Sequence, residues 1–251
     1  MRCAFSWITC PAPAPTCHTG GDIACAVEAQ GAVRLLIGDV MGHGARAAQT
    51  AAAVTRAFRA LAGGPAPCPP PHVIATRLHE FVAARDCGEE FVTALVVCVP
   101  MDDTTAAEIV CCGHPRPLRL RGGCATLLDA VPPSPPLGLF DLAGGAQART
   151  EPLHASPGDS LLLYTDGVTD ARDPAGRPYP LAERAAALSA DSWPLLQALR
   201  ADLLRYTEGN FRDDATLLHL RFTRASARED AREDAREDAR DRPDALSFVW
   251  N

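Results

Sequence analysis

Leu35-Leu36-Ile37-Gly38-Asp39-Val40-Met41-Gly42-His43-Gly44 runs an apolar strand into a single carboxylate, turns the backbone through glycines and opens onto an alanine-rich helical pattern at Ala45. A carboxylate at the end of a buried strand is costly to desolvate unless its charge is compensated. A metal ion would supply that compensation, provided the chain brings further oxygen ligands to the same place.

Just upstream, Gly20-Gly21-Asp22 punctuates the start of a strand. Ile23 to Glu28 and Ala32 to Asp39 read as two strands joined at Gln30-Gly31, which places Asp22 and Asp39 at one end of an antiparallel pair. Downstream, Ala45 to Leu61 is helical, with Val54, Phe58 and Leu61 on one face. The Gly63 to Pro71 break precedes a second helix over His72 to Ala84, striped by Ile74, Leu78, Phe81 and Val82. Strand patterns follow at Phe91 to Val99 and Ala106 to Cys112, with Met101-Asp102-Asp103 as their turn, and at Leu118 to Leu120 and Thr126 to Leu128 around Gly122-Gly123. Val131 to Gly138 reads as a proline-rich loop. Ala148 to Leu153 and Ser160 to Tyr164 resume the strands; helices are expected at Leu181 to Leu188 and Pro194 to Tyr206, and a last strand at Ala215 to Phe222. Sequential strands with helices in two separate blocks predict α+β layers and not βαβ alternation.

At 251 residues the chain fits one large domain. Residues 1–17, with alternating Pro and Ala from Pro11 to Pro15, read as an extended leader; 18–223 read as the domain, and 224–251 as a charged, flexible tail carrying three Arg-Glu-Asp-Ala copies. The amino terminus lacks the apolar core and cleavage site of a signal peptide, and no apolar run reaches membrane-spanning length, so a cytoplasmic protein without membrane association is expected. The ten cysteines are scattered, form no C-x-x-C pair and fall partly within apolar strands, so they read as small buried hydrophobes. A net charge of −7, with no basic patch interleaved with aromatics, argues against a nucleic-acid partner.

The opening design recurs. Leu161-Leu162-Leu163-Tyr164 ends in Thr165-Asp166-Gly167, and Arg212-Asp213-Asp214 precedes the last strand. Asp22, Asp39, Asp166 and Asp213 thus share a position at a strand end beside glycine or a second acid. An all-oxygen set favours Mg2+ or Mn2+, and two such ions sharing a carboxylate can activate water for attack on phosphorus.

Gly20-Gly21-Asp22, Gly38-Asp39-Val40-Met41-Gly42-His43-Gly44, Gly113-His114-Pro115, Pro136-Leu137-Gly138, Leu163-Tyr164-Thr165-Asp166-Gly167-Val168-Thr169-Asp170 and Asp213-Asp214-Ala215-Thr216-Leu217 together resemble SpoIIE-type serine phosphatases, bacterial relatives of the protein phosphatase 2C group. The resemblance implies a four-layer α-β-β-α sandwich with two central antiparallel sheets. It implies two divalent metal ions, Mn2+ or Mg2+: Asp39 bridging both, the Val40 carbonyl on one, Asp166 and Asp213 completing the first site, and Asp22 serving the second partly through waters. Catalysis would act through Asp39, Asp166 and Asp213 by way of metals and water, with no phosphoenzyme intermediate. Asp170 matches an acidic position near the metals, and Asp214 is the alternative to Asp213.

The implied substrate is a phosphorylated regulatory protein such as an anti-sigma-factor antagonist, in a bacterial signalling role. The family often carries a second acid where Cys25 stands, which motivates an alternative: a catalytically weak binding module with the same fold. A small-molecule phosphatase is a third reading. His43 is left without a role, and His114, between Gly113 and Pro115, reads as a structural turn.

Overall fold

The computed structural model describes residues 2–11, 20–65, 67–85, 90–101, 106–129, 133–142, 144–145, 147–189, 195–210 and 213–223. The Asp102-Asp103 turn, the segment 12–19, Arg212, the helix start at Pro194 and the 224–251 tail lie outside the described residues.

In chain order the elements are β1 (Arg2–Cys10), β2 (Asp22–Ala29), β3 (Ala32–Val40), α1 (Ala45–Ala62), α2 (Pro71–Ala83), β4 (Val92–Pro100), β5 (Ala107–Cys112), β6 (Leu118–Arg121), β7 (Cys124–Leu127), β8 (Pro133–Ser134), β9 (Glu151–Leu153), β10 (Ser160–Tyr164), α3 (Asp166–Thr169), α4 (Leu181–Ser189), α5 (Leu195–Tyr206) and β11 (Ala215–Thr223). They build two sheets. One has the order β1-β11-β10-β6-β7; the other has the order β2-β3-β4-β5-β8, with β9 also on β5. The expected antiparallel arrangement holds except where β5 pairs with β8 in parallel, through Cys111–Pro133 and Cys112–Ser134. That short pairing threads the expected proline-rich loop into the sheet edge, where prolines are tolerated.

Alternation along the strands makes the four layers. Val33, Leu35 and Ile37 of β3 meet Leu95, Val97 and Val99 of β4 and Leu161, Leu163, Leu218, Leu220 and Phe222 of the other sheet in a core between the sheets. Their neighbours Leu36, Val40, Val92, Ala94 and Val96 face the opposite way, onto Val54, Phe58, Ile74, Leu78 and Val82 of α1 and α2. Leu162, Tyr164 and Leu217 likewise face α4 and α5 through Leu181, Leu196, Leu199 and Leu203. Both faces of β3 are buried, which explains its unbroken apolar run. Each such fully buried side chain contributes roughly 1.5–3 kcal/mol of transfer free energy.

The expected extended leader over 1–17 needs correction in part. Arg2–Cys10 is extended, but as a strand paired from Arg2–Thr223 to Cys10–Ala215 along β11, so it belongs to the sandwich. Cys3, Phe5 and Trp7, two residues apart, share the inward face of this edge strand and pack partly against the inner core. No described helix is long and apolar enough to cross a membrane.

Candidate active site

The two sheets end together at one pole. Asp22 opens β2 and Asp39 closes β3, and the pair are register partners. Asp166 follows β10 and starts the single-turn helix α3, which the sequence reading did not anticipate. Asp213 and Asp214 lead into β11. Gly167 permits this meeting: a Cβ there would collide with the Asp214 carbonyl oxygen, so the α3 turn rests directly on the chain entering β11. A Cβ on Gly20 would strike the Asp214 carboxylate, and one on Gly21 would lie 2.7 Å from the Val40 carbonyl oxygen and 2.9 Å from Asp39 Oδ1. The Gly20-Gly21 step is therefore the close wall against which Asp39, Val40 and Asp214 stand.

Electrostatics bind these acids into one group. Burial, reinforced by the Asp166, Asp213 and Asp214 charges, pushes Asp39 up to about 7, against the Val40 backbone N–H that favours its charged form. Burial pushes Asp22 up to about 8, with the charges of Asp39 and Asp214 adding to it and hydrogen bonds from Thr216 and Thr165 opposing it. Asp166 is raised by burial and then by Asp170 and Asp213. Asp39 and Asp22 thus resist ionising near neutrality until a cation joins them.

Thr165 donates to Asp22 Oδ2 at 3.0 Å, and the Thr216 N–H donates to Thr165 Oγ1 at 3.0 Å. Thr216 and Thr9 hydroxyls lie 3.0 Å apart. Thr165 and Thr216 are fully buried. These threonines were missed as functional residues, although a signal existed: Thr216 is polar on the inward face that Leu218, Leu220 and Phe222 continue.

Every expected site residue except Asp170 is thus brought to one rim, and Asp170 stands beside it, with a largely exposed side chain 3.7 Å from Arg172. An open cleft of about 490 Å3 adjoins the rim, lined by Gly167, Asp170, Arg172, Thr207, Glu208 and Asp213 among others. His43 is exposed on the loop before α1. His114 is buried, with Nδ1 3.0 Å from the Thr93 hydroxyl. Burial drives it down to about 3, so it is a neutral structural histidine. Cys25 faces away from Asp22, into the α1 side, where its sulfur accepts from Arg59 Nε at 3.3 Å.

Among the described residues, no three acid, thiol or imidazole groups close into a finished metal cage. The donor set nevertheless fits a hard divalent ion: it is all oxygen, like-charged and partly buried, and Mg2+ in particular binds few protein ligands and keeps several waters.

A family model described as stage II sporulation protein E (SpoIIE) matches residues 29–223; Asp22 and β1 precede the matched region. The RsbU and RsbW domains of Rv1364c from Mycobacterium tuberculosis are 25% identical at a TM-score of 0.69, covering 95% of this chain and 67% of that one. The PP2C phosphatase domain of SpoIIE from Bacillus subtilis, solved with a fragment of its regulatory domain, is 18% identical at 0.71, covering 88% of this chain and 64% of that one. RsbX in complex with magnesium is 14% identical at 0.63, covering 88% of this chain and 96% of that one. No curated protein matches the sequence closely.

Proposed function

Because the chain belongs to the SpoIIE family of protein-serine/threonine phosphatases, we propose that it hydrolyses phosphoserine or phosphothreonine on a regulatory protein, such as an anti-sigma-factor antagonist, with two divalent ions as cofactors. The observation that carries this reading is the group of acids gathered at the sandwich pole, where burial and then the charges of Asp166, Asp213 and Asp214 raise Asp39. In that group Asp39 would bridge both ions, with the Val40 carbonyl on one of them. Asp166 and Asp213 would complete the first site, and Asp22 would serve the second. Asp170, acting on Asp166, and Asp214, against Gly20, are the further acids in reach.

When bound, Mn2+ or Mg2+ would activate water and neutralise the charge that develops on the transferring phosphoryl group. The chain's own residues contribute placement. Gly20-Gly21 and Gly167 let backbone and carboxylates approach closely. Thr165 orients Asp22. The cleft beside Asp213 leaves room for a phosphorylated side chain. The magnesium complex of RsbX supports the choice of ion, and the coupling of RsbU and RsbW domains in one Mycobacterium tuberculosis chain supports a regulatory phosphoprotein as substrate. Cys25 lies under α1 and away from the acids, so its thiol takes no part in the group that would hold the ions.

The test is turnover of p-nitrophenyl phosphate and of candidate phosphoproteins with and without Mn2+. Wild type should release phosphate only with the ion, and Asp39→Asn should not release it. Equal turnover by both proteins would sink the assignment, and hydrolysis of small phosphate esters with no phosphoprotein turned over would favour a small-molecule phosphatase.

A further inference from the structure

Asp22 is the acid farthest along the chain from Asp166 and Asp213, and it stands on the opposite sheet. What holds it is a set of three threonines from β1, β11 and the end of β10. With a cation bound Asp22 is ionised and only accepts hydrogen bonds, so each hydroxyl that meets it must donate. Thr165 Oγ1 accepts the Thr216 N–H at 3.0 Å and donates to Asp22 Oδ2 at 3.0 Å, so its proton has one direction. The Thr216 hydroxyl also favours the charged form of the carboxylate, so with the acid ionised its proton faces Asp22. Committed in that way, it must accept from the Thr9 hydroxyl, 3.0 Å away.

Resting on the metal-site reading above, we propose that Thr9, Thr216 and Thr165 form a one-way hydroxyl chain that positions Asp22 for its ion, making the amino-terminal strand part of the catalytic unit. None of the three touches substrate; they are positioning residues. Thr165 fills one of the roughly four lone-pair sites of the Asp22 carboxylate from behind and the Thr216 hydroxyl faces the same group, which leaves the front for a cation or its waters. Thr9 pairs with Thr216 across the β1–β11 ladder, so the position of the hydroxyl is set by strand register. Strand β1 lies ahead of the family-matched residues, which start at 29. Hydrogen-bond partners behind a metal-binding carboxylate typically change ion affinity by about 10–100-fold.

Mn2+ titration calorimetry on the full chain tests this without relying on turnover, with thermal melts confirming that each variant is folded. Wild type should show two binding events. Thr165→Val should weaken the weaker event about tenfold and leave the tighter one unchanged. Thr9→Val should weaken the same event severalfold, and Thr9→Ser, which keeps the hydroxyl, should restore it. Half-maximal Mn2+ activation should rise in parallel, while KM for p-nitrophenyl phosphate at saturating Mn2+ stays at the wild-type value. Wild-type binding that is unaltered in folded Thr165→Val and Thr9→Val, or a Thr9→Ser that behaves like Thr9→Val, would overturn the hydroxyl chain alone. Absence of Mn2+ binding by wild type would overturn the metal site and the chain with it.

Discussion

Asp22 and Asp39 sit directly opposite one another on β2 and β3, two acids on neighbouring antiparallel strands. Burial first, and then repulsion from neighbouring carboxylates, makes these acids costly to hold ionised. Neutralising one should relieve the ion-free fold while removing the chemistry. Asp39→Asn is expected to abolish Mn2+-dependent turnover and to raise the ion-free Tm by about 2–4 °C, the shift that roughly 1 kcal/mol produces in a domain of this size. Differential scanning calorimetry in chelator checks it; an unchanged or lowered Tm would contradict the repulsion.

The same acids set a pH dependence. Folding raises Asp39 to about 7 and Asp22 to about 8, so the folded state holds protons that the unfolded chain has released. Stability then falls as pH rises, because the unfolded state binds fewer protons. In chelator, Tm should decline between about pH 4, where the unfolded acids titrate, and pH 8, and saturating Mg2+ should flatten that decline. A Tm that rises across this window in chelator would contradict the assigned shifts.

Two glycines separate backbone from side-chain collisions. Gly167→Ala drives a methyl into the Asp214 carbonyl oxygen, which cannot rotate away. A loss of about 1–3 kcal/mol is expected, together with lost turnover. Gly20→Ala meets the end of the Asp214 side chain, which can turn, so activity should suffer more than stability. Urea melts and phosphate release on both variants decide the point.

Thiol chemistry should divide the cysteines. Cys124 is exposed, whereas Cys25, Cys111 and Cys112 are buried. Burial pushes Cys112 up to about 12, leaving almost no thiolate at neutral pH. Brief iodoacetamide treatment of the native protein should label Cys124 and spare the other three, as read by peptide mass spectrometry. Rapid labelling of Cys112 would contradict its packing.

A loop anchor offers a further measurement. The Gly138 N–H donates to His79 Nδ1 at 3.0 Å, and the His79 ring stacks on Phe140 with centroids 4.2 Å apart. His79→Leu removes the acceptor and should cost about 1–3 kcal/mol in a urea melt. Burial lowers the His79 pKa, so this contribution is complete above about pH 6.5 and fades as the ring is protonated at lower pH.

The Asp22–Asp39 hairpin, both helix pairs and the Ser160 to Tyr164 strand were legible because each has a local signature: alternation, a 3.6-residue stripe, or turn residues at the joints. The carboxylates were legible because motif order tied them together. Strand β1 was not legible, since what makes it a strand is a partner more than 200 positions away. Strand β8 escaped because two prolines flanking one serine resemble a loop until β5 lies beside them. The orientation of Cys25 follows from its three-residue offset from Asp22, which puts the two side chains on opposite faces of β2. Thr165 and Thr216 were within the quoted motifs and Thr9 was not, and the partnership of the three with Asp22 arises only when the two sheets face each other.

The Arg2–Thr223 pairing has one more outcome. The two ends of the described sandwich meet at the pole away from the acids, where the Gly122-Gly123 hairpin also turns over open space. A circular permutant joining those ends through a short linker and opening at Gly122-Gly123 would cut no strand and move no aspartate. Such a permutant would keep the chemistry at one pole of the sandwich and put both seams at the other.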